Sequence, residues 1–206
     1  MLDSLRDRLR QAYDGGAEAR ESGAYPKWKK TERAGFLSQL RAHGLTRFLE
    51  VGAGTGRDSK FFADEGCMVT CIDLSPEMVR SCQTKGLEAR VMDVADLSFE
   101  DGSFDAVYSF NSLLHLPKAE LPAVLGEIRR VLRPAGLFFF GSYGGFDHEG
   151  TRESDDHDPP RFFSFYGDNQ LQDVVSKAFD ILKFRSVAVN GHDKRLHFQS
   201  LLLRRP

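Results

Sequence analysis

The segment FLEVGAGTGRDSKFF, residues 48–62, constrains the fold more than any other stretch of this chain. An apolar run ends in Gly52-Ala53-Gly54-Thr55-Gly56 and an amphipathic segment follows, so a strand turns sharply into a helix there. Glycines carry no Cβ, which lets the backbone bend tightly and come close to a ligand. The same alternation continues downstream. RFLEV, MVTCID, LEARVMD, FDAVYSF and LFFFGSY read as five strands. Helices are expected at 55–65, from Pro76 behind the N-cap Ser75, and at 117–132 with Pro122 in its first turn. Strands alternating with helices predict a parallel sheet with right-handed crossovers.

Two helices are expected ahead of this core. Leu2, Leu5, Leu9 and Ala12 share one face before Gly15-Gly16, and 26–43 carries Trp28, Phe36, Leu37 and Leu40. After the fifth strand, residues 144–166 are polar, rich in Gly and Asp, and too long for a simple connection, as functional or mobile loops are. Asp168 or Asn169 is placed to cap a helix running to Phe179. Strands at 181–189 and 196–203 follow, joined at the hairpin signal Asn190-Gly191. The expectation is one α/β domain over 1–206: cap helices in 1–46, a ligand-binding core in 47–143, a lid loop in 144–166, and a helix with an antiparallel strand pair in 167–206.

Composition narrows the function classes. With 28 Lys and Arg against 30 Asp and Glu, the chain lacks the basic surplus of a nucleic-acid binder. The local basic clusters PKWKK and LRRP read as solvated surface. No apolar run nears the roughly 18 residues of a membrane span. Cys67, Cys71 and Cys82 are odd in number and fall in core elements, which suits reduced thiols in a cytoplasmic protein. No Cys-x-x-Cys spacing suggests zinc, so no metal is expected.

In an open parallel sheet, ligands bind where the first and fourth strands diverge, at their carboxyl ends. The glycine turn lies there, although Arg57 stands where the dinucleotide fingerprint G-x-G-x-x-G has its third glycine. Asp73 closes the second strand, where an acid accepts both hydroxyls of a ribose. Asp93 closes the third, where a carboxylate can take the exocyclic amine of adenine and the amide of Val94 can donate to a ring nitrogen.

LEVGAGTGRDS, CIDLSPEMV, VMDVADLSFEDGSFDAVYS and EIRRVLRPAG, taken in order, resemble the small class I S-adenosylmethionine-dependent methyltransferases over residues 48–143. The resemblance implies a Rossmann-like three-layer sandwich whose seven-stranded, mostly parallel sheet has its last strand antiparallel. It implies S-adenosyl-L-methionine as cofactor, with S-adenosyl-L-homocysteine as product. Gly52, Ala53 and Gly54 would line the methionine moiety, Asp73 would bind the ribose, and Asp93 and Val94 the adenine. Leu74 and Met78 would pack against the base, and Asn111 would face the methionine end. YDGGA resembles a Tyr-Asp-x-x-Ala signature that often precedes this domain, which would set Tyr13 over the methionine end. Glu50 and Ala53 stand where the family often has Asp and Cys. Ala135 replaces the first glycine of a Pro-Gly-Gly turn, which a type I turn with Gly136 at its fourth position would accommodate.

A sulfonium is already an activated methyl donor, so such a protein must align a nucleophile and exclude water. A base is needed only where the nucleophile arrives protonated. His115, just past the fourth strand, is the candidate base or else a structural hydrogen-bonding residue. His148 and His157 lie among Asp147, Glu149, Asp155, Asp156 and Asp158 in the long loop, without ligand spacing on a rigid element. Arg161, in PPRFFSFY, is placed to pair with a substrate carboxylate or phosphate, with Phe162, Phe163, Phe165 and Tyr166 as pocket walls. No separate substrate domain is evident, so the expected acceptor is a small molecule. Two alternatives stand beside methyl transfer: a non-catalytic binder of the same cofactor, and a nicotinamide-dependent oxidoreductase.

Overall fold

Strand LFFFGSY shows how the sequence builds its layers. Phe138 and Phe140 point into one apolar cluster, while Leu137 and Phe139 point into another on the opposite face. The computed structural model describes residues 2–189 and 193–206, without the side chains of 2–4 and 17–19. The sheet-forming strands are β1 (Arg47–Val51), β2 (Met68–Asp73), β3 (Glu88–Val91), β4 (Phe104–Phe110) and β5 (Leu132–Gly144). A small pair, β6 (His148–Thr151) and β7 (Phe162–Phe165), precedes β8 (Asp180–Val187) and β9 (His197–Arg204).

Seven strands form one sheet in the order β3-β2-β1-β4-β5-β9-β8. All neighbours are parallel up to β5, and β9 runs antiparallel to both β5 and β8. The expected three-layer, mostly parallel fold with its last strand antiparallel is what the chain adopts. The Asn190-Gly191 turn lies outside the described residues.

The helices are α1 (Leu2–Asp14), α2 (Ala17–Ser22), α3 (Lys27–Ala42), α4 (Arg57–Asp64), α5 (Pro76–Thr84), α6 (Leu121–Val131) and α7 (Asp168–Val175). On one face, Leu121, Val124, Leu125, Ile128 and Val131 of α6 join Leu171 and Val175 of α7 over Leu49, Val107 and Phe138. On the other, Phe36 and Leu40 of α3, Phe62 of α4 and Val79 and Cys82 of α5 cover Phe48, Tyr108 and Phe139. Aromatic rings dominate this second core; Phe36, Phe48, Phe62 and Tyr108 lie with centroids 4.5 to 6.3 Å apart. Truncating any of these fully buried rings to Ala costs about 3–5 kcal/mol.

Three local expectations are corrected. Helix α6 starts at Leu121, with Pro122 in its first turn, because a 3-10 turn (Leu113–His115) and the Glu120 N–H to Pro117 carbonyl bond of 2.9 Å use the preceding residues. Helix α7 starts behind Gly167 and ends at Val175, four residues short of Phe179; the Asp168 carboxylate instead accepts from Gln199 at 2.8 Å and Ser186 at 3.0 Å. Ala135 has φ +61°, a left-handed conformation that a type I turn does not allow.

Candidate functional site

The loops leaving β1, β2, β3 and β4 meet over the point where the strand order reverses. Gly52 has φ +68°, and a Cβ there would fall 1.9 Å from Ser112 Oγ, so only glycine fits. The amides of Gly52 and Ala53 both donate to the Ile72 carbonyl, at 2.8 and 3.0 Å, which ties the turn to β2. Gly54 N–H donates to Asp73 Oδ2 at 2.8 Å and Ser75 N–H to Oδ1 at 2.9 Å. Burial raises the Asp73 carboxyl above its usual value, against the pull of those amides and of Arg20. A carboxylate has about four lone-pair directions; these amides take two of those of Asp73, which lines the crevice.

Asp93, Val94, Leu74 and Met92 line an apolar recess with Ile72, Leu113 and Leu116. This is the chemistry a purine asks for: flat apolar walls with a carboxylate at one edge. Helix α1 roofs it with Leu5 and Leu9. From the same helix Arg6 donates to Asp93, and its Nη2 donates to Glu120 at 2.9 Å. Asp93 Oδ1 also accepts from Ala95 N–H at 2.9 Å, an Asx turn. Asp93 is therefore engaged both by its own loop and by Arg6. Met78 is a correction. Its side chain is fully buried beneath α5 and lines neither cavity, and only its N–H reaches the site, donating to the N-cap Ser75 Oγ at 3.1 Å.

A larger cavity of about 430 Å³ continues from the glycine turn toward β4 and β5, and Tyr13, Asn111, His115, Arg161 and Phe163 all line it. Asn111 sits at φ +56°, its N–H donating to the Gly141 carbonyl at 2.8 Å and its Oδ1 accepting from Tyr143 N–H at 3.1 Å. A left-handed asparagine held at two points by β5 is the kind of strain that collects at functional sites. His115 Nδ1 lies 2.8 Å from the Phe162 carbonyl and must carry the proton, so Nε2 accepts from Tyr13 Oη at 2.7 Å. Desolvation, with Arg161 and Arg20 nearby, pushes the His115 pKa down to about 3.

Arg161 does not stand open to a ligand as its sequence context suggests. Asp155 accepts from its Nη2 at 2.5 Å, its Nε at 3.1 Å and its main-chain N–H at 2.7 Å, leaving Nη1 to donate to Tyr13 Oη at 3.2 Å. His157 Nδ1 adds to the cluster, 3.3 Å from Asp155. The expected lid loop is a two-stranded hairpin, β6 with β7. Of its aromatic run, Phe163 faces the cavity while Phe165 and Tyr166 are buried.

The structure thus brings Tyr13, Gly52, Ala53, Gly54, Asp73, Leu74, Asp93, Val94, Asn111, His115 and Arg161 to one crevice and leaves Met78 out. Arg6 and Ser112 also line it. Neither had a sequence signal, because each contributes through a contact made across the fold. Asp14 is similar: its Oδ1 accepts from Ser75 Oγ at 2.5 Å, pinning α1 to the start of α5.

Comparison with known proteins points the same way. Residues 49–140 match the family model for a methyltransferase domain. The chain is 40% identical over 103 residues to a ubiquinone biosynthesis O-methyltransferase of Xanthomonas oryzae pv. oryzae, covering 47% of this chain and 42% of that protein. It is 35% identical over 153 residues to a malonyl-[acyl-carrier protein] O-methyltransferase of Geobacter sulfurreducens, covering 70% and 55%. The chain spans about half the length of these curated relatives. Among solved structures, a 1,6-didemethyltoxoflavin-N1-methyltransferase of Burkholderia thailandensis, with S-adenosylhomocysteine bound, superposes with TM-score 0.72 at 22% identity over 98% of this chain and 87% of that one. That likeness speaks for the fold.

Proposed function

Because the chain carries a class I S-adenosylmethionine-dependent methyltransferase domain, we propose that it transfers a methyl group to an oxygen of a small acceptor by direct in-line displacement. One observation carries this reading: the purine-like recess and the larger cavity share Gly52, Asp73, Ser112 and His115 as their common wall. Donor and acceptor would meet at that wall. When bound, S-adenosylmethionine supplies a methyl group already activated by a charged sulfur.

The residues of the chain do the rest. Asp73 takes the ribose hydroxyls, Asp93 and Val94 hold the adenine edge, and Gly52, Ala53 and Gly54 admit the methionine arm. Asn111 and Tyr13 bound the methyl end, and the hairpin over 144–166 closes it against water. With the cofactor held there, an acceptor oxygen would take the methyl group while the sulfur kept the bonding pair. The acceptor proton leaves last. A histidine held at about 3 does not strip a resting alcohol or phenol. It does suffice for the far more acidic proton on an oxygen receiving a methyl group, relayed through Tyr13 Oη. Both named relatives are O-methyltransferases, which favours oxygen as the atom modified.

Isothermal titration with S-adenosylhomocysteine, followed by incubation with methyl-labelled cofactor and a panel of phenols and carboxylic acids, tests the reading. Micromolar binding and a base-labile or ether-linked methyl product are expected. Failure to bind S-adenosylhomocysteine would overturn it.

A further inference from the structure

The cluster PKWKK is not surface decoration throughout. It forms the first turn of α3, which holds no acidic residue, although the positive end of a helix disfavours cations. Lys27 and Lys30 are exposed. Lys29 turns inward, half-buried, and lines the larger cavity. Its Nζ lies 5.3 Å from the Phe110 ring centroid and 5.6 Å from that of Trp28, which stacks on Phe110. Among the described residues no carboxylate stands within 4.0 Å of it.

The neighbouring acids are taken. Asp58 accepts from Tyr25 and, at 2.9 Å, from Arg33; Glu50 is bonded to Ser59 and pushed well above its usual pKa by burial. Arg20 and Arg57 add like charge, Arg57 Nη1 donating to the Gly23 carbonyl at 2.8 Å. Desolvation lowers the Lys29 pKa, so the ammonium is costly where it stands. An anion entering the cavity would remove that cost.

Position says whose anion. Asp73 and Asp93 lie on β2 and beyond β3, to one side of β1. Phe110 ends β4 and Tyr143 lies near the end of β5, one and two strands away on the other side, at about 4.8 Å per strand. Arg20 stands nearer the donor: its Cδ would be 3.9 Å from a Cβ on Gly54, and its charge acts on Asp73. The cavity walls by Lys29 are aromatic: Phe110 lies under its ammonium, and Tyr143 lies against Trp28.

We propose that Lys29 recognises the carboxylate of a small planar acceptor, held over β4 and β5 against Phe110 and Tyr143. This rests on the methyltransferase reading above. The test titrates benzoate and benzamide by ligand-observed NMR into the whole chain saturated with S-adenosylhomocysteine, as wild type, Lys29→Met and Lys29→Arg. Wild type should bind benzoate at least about tenfold more tightly than benzamide, the discrimination a charge-assisted hydrogen bond supplies. Lys29→Met should erase the preference and Lys29→Arg keep most of it, with S-adenosylhomocysteine affinity changing less than about twofold. Equal binding of the two probes by wild type would overturn the proposal. So would a Lys29→Met variant that loses about tenfold in S-adenosylhomocysteine affinity but none for 5′-methylthioadenosine, since Lys29 would then serve the cofactor's own carboxylate. If wild type fails to bind S-adenosylhomocysteine at all, the methyltransferase reading itself has failed. Retained cofactor binding without carboxylate preference removes only the role of Lys29.

Discussion

Tyr13 Oη donates to His115 Nε2 across 2.7 Å, joining the first helix of the chain to the loop after β4. Their rings also meet edge to face, with centroids 5.6 Å apart. Tyr13→Phe keeps the ring contact and removes the donor, leaving a buried nitrogen unsatisfied at a cost of about 1–3 kcal/mol. Single-turnover methyl transfer should fall roughly 10–100-fold while S-adenosylhomocysteine affinity changes by less than about threefold. Equal losses in both would mean that Tyr13 only supports the roof.

Protonation of His115 should destabilise the protein in acid. Its folded pKa of about 3 lies below the ordinary 6.5, so its contribution is fully present above about 6.5 and is lost as pH falls toward 3. The loss is roughly 1.4 kcal/mol for each pH unit between those limits. Urea unfolding of wild type and His115→Gln at pH 7.5 and 5.0 gives the check: the variant should be less stable at the higher pH and show a flatter dependence.

Asp73→Asn keeps the shape of the side chain and removes its charge. Calorimetry should show S-adenosylhomocysteine binding weakened about 10–100-fold, the range for hydrogen bonds to an ionised group. Met78→Leu provides the contrast. Because Met78 lines neither cavity, its affinity should stay within about twofold of wild type, with less than about 1.5 kcal/mol of stability lost.

Gly52→Ala meets two obstacles, the φ of +68° and a Cβ 1.9 Å from Ser112 Oγ. It should abolish cofactor binding and lower Tm. Ser112→Gly in the same chain relieves the contact and leaves the dihedral cost of about 1–2 kcal/mol, so Tm should recover in part. Full recovery would show that the turn tolerates a left-handed alanine.

Ala135 already occupies such a position, at φ +61°. Ala135→Gly should stabilise the chain by about 0.5 kcal/mol, the relief of left-handed strain less the added freedom of the unfolded state. A rise in Tm of roughly 1–2 °C by calorimetry is expected. Ala135→Val should lower it.

The sheet was legible because each strand advertises itself through period and punctuation: LFFFGSY alternates its faces, and Gly52, Asp73 and Asp93 stand at or just past the ends of the strands that form the crevice. Local signals ran out where a residue has two plausible partners. Asp168 looks like a cap and instead serves Gln199 and His197. Arg161 looks free and is claimed by an aspartate six residues earlier. Met78 occupies the helix turn beside Leu74, yet the rotation of α5 sends it into the core. Arg6 and Lys29 gave no warning, since the worth of a charged residue on a helix depends on what the fold sets beneath it.

Arg6 and Tyr13 sit on the same rod, separated by about 10 Å of helix at roughly 1.5 Å per residue. One touches the acid beyond β3; the other touches the imidazole after β4. A stiff element gripping both cannot tilt at one without moving the other. A substitution that loosens α1 would therefore be felt at both ends of the crevice at once.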